Sequence, residues 1–222
     1  MRNHRWDVPP AQAQEIQQAL CTRVRSAPLP NPLRTVAGLD VHGDRGAAAV
    51  LAWPGLEWIG GAVAERHTPF PYVPGLLSFR EIPALLAAIE QLEALPDLLL
   101  CDGHGLAHPR RFGLACHLGV LLERPTLGCA KTLLCGHHAE LAPTRGATVP
   151  LRDGASPDRP GEVTGAVLRT QTGVRPVYVS IGHLVELADA VEVVLHCASR
   201  YRLPEPLRLA HTMAKSGHIP PA

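Results

Sequence analysis

Aromatic residues are scarce in this chain. They make up 4% of its 222 residues, so the core must rely on Leu, Val, Ile and Ala. Net charge is nearly absent too. At a formal +1 no global field draws the chain to a polyanion, and any such binding must come from a local patch. No apolar run approaches the roughly 20 residues needed to span a bilayer. The opening segment M-R-N-H-R-W-D-V-P-P has no apolar region of the secretory type. The six cysteines (Cys21, Cys101, Cys116, Cys129, Cys135, Cys197) form no C-x-x-C pair, and several lie inside apolar runs, as reduced buried cysteines do. A cytoplasmic, monomeric protein without disulfides is expected. Cys135-Gly136-His137-His138 contains metal-ligand types, but no second ligand pair is spaced to complete a site, so it reads as a solvated loop. What is plentiful is proline, at 22 residues, many of them in apparent loops. The length suits one α/β domain over 1–222.

The chain is organised around Asp97 to His117. A short apolar run, Leu98 to Cys101, ends in Asp102. Gly103, His104 and Gly105 follow, then a basic cluster at His108, Arg110 and Arg111, then a new apolar periodic segment. This pattern predicts a buried strand delivering a carboxylate at its C-terminal end, where open α/β sheets bind ligands. The glycines let backbone approach a ligand closely. An ordinary βα turn also uses Asp and Gly.

Upstream, Ile16, Ala19, Leu20 and Val24 recur at helical spacing with polar Gln between them, predicting an amphipathic helix over 9–25. Thr35 to Val41, Ala47 to Trp53 and Leu56 to Ala64 read as three strands on short turns, an antiparallel meander. His67 to Ser78 cannot be regular, because Pro69, Pro71 and Pro74 block both ladder and helix. It reads as a stiff protruding loop bearing Phe70 and Tyr72. Ser78, with Glu81 three residues on, suggests a capping box for a helix to about Ala94, with Pro83 in its first turn. After the central strand, a helix is expected over 112–122 and a strand over 125–131, ending in Lys131. Residues 133–160 read as an irregular excursion with a short hairpin. Strands follow over 162–169 and 177–180, then helices over 184–200 and 207–215. A three-strand antiparallel unit followed by αβαβα is the order of a ribonuclease-H-like α/β fold, a mixed sheet flanked by helices. In that layout Asp40 and Asp102 stand side by side on neighbouring strands.

Two such carboxylates repel unless a cation lies between them. Mg²⁺ is the natural one, with Mn²⁺ as the alternative, held by a few carboxylates, water and phosphate oxygens. Glu81 is a plausible third ligand, or simply a capping acid. Lys131 could hold a water or a phosphate as a point charge, or be a solvated strand end. His211 could position water or move a proton, though a lone helical His is more often structural. Tyr72 between prolines forms a wedge able to part stacked bases, or a loop packed on its own sheet. Arg80, His108, Arg110 and Arg111 would supply phosphate contacts. The readings left open are a metal-dependent nuclease and a binding-only protein.

At these residues the chain resembles the endonuclease V family. The matching segments are V-A-G-L-D at 36–40, P-Y-V-P-G-L-L-S-F-R-E at 71–81, D-G-H-G-L-A-H-P-R-R-F-G-L-A-C-H at 102–117, C-A-K ending at Lys131, L-R-T-Q-T-G-V-R-P-V-Y-V-S-I-G-H at 168–183 and Y-R-L-P-E-P-L-R-L-A-H at 201–211. The resemblance implies a ribonuclease-H-like fold and a Mg²⁺-dependent cut at the second phosphodiester bond 3′ to deoxyinosine, leaving 3′-hydroxyl and 5′-phosphate ends. Inosine-containing RNA is the alternative substrate. It implies Asp40, Asp102 and Glu81 as metal ligands and Lys131 and His211 as active-site residues. Pro71, Tyr72, Val73 and Pro74 match the strand-separating wedge. Gly75, Leu77, Gly103 and Gly105 match the pocket for a flipped hypoxanthine. Departures are Cys129 before Lys131, the T-L-L-C-G-H-H that follows it, and Ile181, all bearing on local packing.

Overall fold

The apolar run Leu98–Cys101 has no polar position, so a strand made of it must be covered on both faces. In the computed structural model, which describes residues 4–154 and 161–221, it is covered so. Leu98 and Leu100 enter one core with Val36, Leu127, Val193 and Val194, whereas Leu99 and Cys101 enter another with Leu39, Ile82, Leu85 and Leu118. The result is a three-layer α/β/α sandwich.

Strands β1 (Thr35–His42), β2 (Arg45–Ala52) and β3 (Trp58–Glu65) form the expected meander. β4 (Leu98–Cys101) lies parallel to β1, and β5 (Thr126–Ala130) lies parallel to β4. The sheet does not stop there. β6 (Thr148–Asp153), β7 (Glu162–Leu168) and β8 (Val177–His183) extend it antiparallel to eight strands, in the order β3-β2-β1-β4-β5-β8-β7-β6. The fold is ribonuclease-H-like, and the strands expected over 162–169 and 177–180 are β7 and β8, with β6 formed inside the 133–160 excursion.

Helix α1 (Pro10–Cys21) packs beside α3 (Leu114–Leu122), and α2 (Leu77–Ile89) covers the meander on the same side. α4 (Leu187–Cys197) and α5 (Glu205–Ser216) close the other face. Several boundaries differ from the sequence expectation. β8 runs on through His183 because Gly182 and His183 continue the buried ladder, so α4 begins three residues later than predicted. α2 starts at Leu77 without a side-chain cap; Ser78 instead meets buried His117 Nδ1 at 3.0 Å. Pro83 therefore falls in the second turn, and the helix ends at Ile89. Within the predicted excursion, His137 bridges Arg152, and residues 155–160 lie outside the described residues.

One glycine fixes the placement of α5. A Cβ on Gly38 would sit 2.1 Å from the Pro206 carbonyl carbon and oxygen and 2.5 Å from the Leu207 nitrogen. Backbone cannot move aside as a side-chain tip can, so Gly38→Ala is expected to lift α5 off β1 at a cost of about 1–3 kcal/mol. A thermal melt checks this, with Gly60→Ala, where nothing lies within 4 Å, as the near-neutral control.

Candidate active site

Parallel pairing aligns Leu39 with Cys101, and the Asp102 amide donates to the Leu39 carbonyl at 3.1 Å. Asp40 and Asp102 are thereby neighbours on adjacent strands. Their side chains are 11% and 14% exposed, so neither charge is fully solvated. Glu81 approaches from α2, which lies so close to β2 that a Cβ on Gly46 would meet the Ala84 carbonyl oxygen at 2.3 Å. Burial, then the charges of Asp40 and Asp102, push the Glu81 carboxyl up to about 8. Burial and the Asp40 charge also raise Asp102. Three acids from three elements thus share one negative field.

A lysine and a histidine face it. Lys131, one residue past β5, hydrogen-bonds through Nζ to Asp102 Oδ2. His211, on α5, places Nδ1 2.7 Å from Asp40 Oδ2. All five sequence-predicted residues therefore converge at one sheet edge. Among the described residues no three His, Cys, Asp or Glu side chains form a ready-made metal cage; Asp40 contacts His211 and Asp102 contacts Lys131. The donor set nonetheless suits a hard divalent cation, being all oxygen and carrying mutual repulsion that such an ion would relieve. Asp40, Asp102 and Glu81 would hold it.

A cavity of about 240 Å³ opens beside these acids. The loop before α2 gives one wall, through Tyr72, Val73, Pro74 and Gly75, continued by Leu77 at the start of α2; the loop after β4 gives another, through Asp102, Gly103 and His104. Lys131 to Leu134 and Leu114 complete it. Pro71 and Pro74 are exposed, and Tyr72 is 69% exposed. The loop is stiff because its other aromatic residue is not on display: Phe70 is buried with Leu76, Phe79, Val8 and Ala13. Gly75 needs its glycine, with φ at +79°. Gly103 lines the cavity, whereas Gly105 sits behind it, its amide donating to Ser180 Oγ at 2.8 Å.

The residues expected to contact phosphate are each engaged within the protein. Arg111 pairs with Asp153 and Glu162, and Arg80 donates to the Phe70 carbonyl. Arg110 and His108 both donate to the Gly75 carbonyl, at 2.7 and 2.9 Å. His108 is 3% exposed, and burial pulls its imidazole down to about 4, so it is neutral. Of these four, His108 lines the cavity, and Arg110 braces it through the Gly75 carbonyl. Cys129 and Ile181, the departures, pack into the core on β5 and β8.

Gln17 carried no functional signal in the sequence, where it counts as a polar residue of an amphipathic helix. It is 1% exposed and lines the cavity. The only available hint was its i, i+4 spacing from buried Ala13.

A ribonuclease-H-like sheet with an acid cluster at the C-terminal ends of its central strands defines a nuclease architecture. Comparison with known proteins gives the family: the endonuclease V profile matches residues 18–212, and the chain belongs to the endonuclease V family. An endonuclease V from Roseiflexus sp. (strain RS-1) is 54% identical over 97% of this chain and 96% of its own. The crystal structure of the Streptomyces avermitilis endonuclease V superposes with a TM-score of 0.88 at 42% identity, covering 96% of this chain and 94% of that one. The catalytic domain of human endonuclease V superposes with a TM-score of 0.83 at 34% identity, covering 94% and 97%. Among the described residues no helix is long and apolar enough to cross a membrane.

Proposed function

We propose that the protein is a Mg²⁺-dependent endonuclease that recognises deoxyinosine in DNA and cuts the second phosphodiester bond on its 3′ side, leaving 3′-hydroxyl and 5′-phosphate ends. The observation that carries this reading is the shared cavity: wedge residues Tyr72 to Gly75 and the acid-site residues Asp102 and Lys131 line one space. A base turned out of the stack beside Tyr72 would enter next to the carboxylates. Extrusion costs a few kcal/mol, less for a mispaired base, which itself favours a deaminated site.

The chain's own groups then divide the work. Tyr72 fills the gap left in the duplex, held at low entropic cost by Pro71 and Pro74. Gly75, Leu77 and Gly103 bring backbone against the base, with Gly105 supporting Gly103 from behind. Asp40, Asp102 and Glu81 would hold the divalent ion, which when bound supplies charge neutralisation and an acidified water. Lys131 neutralises Asp102 in the absence of substrate and is placed to meet a phosphate oxygen. His211, half-exposed beside Asp40, is placed to orient water or pass a proton to solvent.

Tyr72→Ala tests the wedge. Its exposure predicts a change in stability within about 0.5 kcal/mol. Loss of base–aromatic stacking, worth roughly 1–3 kcal/mol, should lower cutting of an inosine duplex by about tenfold or more. Cutting of the same strand alone, which needs no separation, should fall less. Equal losses on both substrates would argue against a wedge.

A further inference from the structure

Beside His108 and Arg110, one further side chain, from a different element, reaches the wall of the cavity. Gln17 projects from α1 and makes three hydrogen bonds at the pocket, using both of its donors. Its Nε2 donates to the Gly75 carbonyl at 3.1 Å and to the Phe112 carbonyl at 3.1 Å. Its Oε1 accepts from Arg110 Nε at 2.6 Å. Gly75 belongs to the wedge-side wall; Phe112 immediately precedes Gly113 and Leu114, which also line the cavity. One amide thus ties two segments of the cavity lining together and orients Arg110, whose Nη2 returns to the same Gly75 carbonyl.

We infer that Gln17 is a positioning residue for base selection, a cross-brace that sets the separation of the Gly75 and Gly113 walls and so excludes purines larger than hypoxanthine. This rests on the inosine reading above. Hypoxanthine is guanine without its exocyclic amine, so a fixed width rejects guanine by one heavy atom. Removing a contact of that size in an apolar slot discriminates weakly, but a rigid wall that must open discriminates more. Gln17 suits the task because an amide offers two donors in one plane, and both point at main-chain oxygens that no side-chain motion can withdraw.

The test uses Gln17→Met, close in shape with no donor, and Gln17→Glu, isosteric but presenting an oxygen where the donor stood. In Gln17→Glu the carboxylate would pair with Arg110 while repelling both carbonyls. Fluorescence anisotropy in Ca²⁺ would give Kd for duplexes with inosine, guanosine or adenosine at one position, alongside kcat and KM in Mg²⁺. Both variants should keep the wild-type circular dichroism and kcat within about threefold. KM and Kd for the inosine duplex should rise about tenfold, and the inosine-to-guanosine preference should fall by at least tenfold. Folded variants that keep the wild-type preference would overturn the inference while leaving the inosine reading intact. A wild-type protein without inosine preference would overturn the reading itself. If Gln17→Met melts far below the wild type, Gln17→Glu decides, since its pairing with Arg110 keeps α1 attached.

Discussion

Asp102→Asn and Asp40→Asn are each expected to lower cutting of an inosine-bearing duplex by roughly 10³-fold, the order that follows from losing about 4 kcal/mol of transition-state stabilisation. The two carboxylates sit on adjacent strands, joined by the Asp102 amide to the Leu39 carbonyl. Each change is isosteric and removes one member of a mutually repelling set. The fold should therefore survive, and the melting temperature in EDTA should change little. Asp102→Asn leaves Lys131 without its carboxylate, which offsets part of the gain from relieved repulsion. Added Mg²⁺ should raise the melting temperature of the wild type and do so much less for either variant. Full Mg²⁺-dependent cutting by either variant would show that the ion is held elsewhere.

The second large effect concerns Glu81. Its carboxyl titrates at about 8 against an ordinary 4.5, through burial first and the neighbouring acids second. Between those values the folded protein binds a proton that the unfolded chain has lost. Stability in EDTA is then fully present below pH 4.5 and falls as pH rises through 8, by roughly 3–5 kcal/mol over the window for this group alone. Glu81→Gln stays neutral throughout, so its melting temperature should lose this slope and exceed that of the wild type at pH 8. Millimolar Mg²⁺ should restore the wild type at pH 8, because the ion binds the deprotonated acids. Thermal melts across pH, with and without Mg²⁺, check each part. An identical pH slope in wild type and Glu81→Gln would place the acid outside the shared field.

Much of the site lies in short local patterns. Leu98–Cys101 had to be a strand covered on both faces, and Asp102 had to stand at its end. The proline spacing around Tyr72 dictated a stiff loop, and the structure buries Phe70 to anchor it. What was not legible depends on partners distant in sequence. Arg110 and Arg111 look like phosphate ligands until Gly75, Gln17, Asp153 and Glu162 are seen to engage them. Ser78 looks like a helix cap until His117, 39 residues on, accounts for it. Gln17 was unreadable for the same reason, since its environment is made by Gly75 and Phe112, 58 and 95 residues away. The pairing of β6 to β8 was not legible because each takes its register from a neighbouring strand, β8 from β5, β7 from β8 and β6 from β7, and a strand reads the same whether its neighbour is parallel or antiparallel until it is paired.

The most direct test of the account is a mapped nicking assay with the wild-type protein. An end-labelled duplex with one deoxyinosine, its guanosine counterpart and an RNA strand with one inosine would each be incubated with Mg²⁺ and with EDTA. The account predicts a Mg²⁺-dependent nick one nucleotide beyond deoxyinosine on its 3′ side, with a 5′-phosphate on the downstream fragment and no cut in the guanosine control. Cutting confined to the RNA strand would move the substrate to RNA. Cutting of both duplexes alike, or binding to inosine without any cut under Mg²⁺ or Mn²⁺, would contradict it.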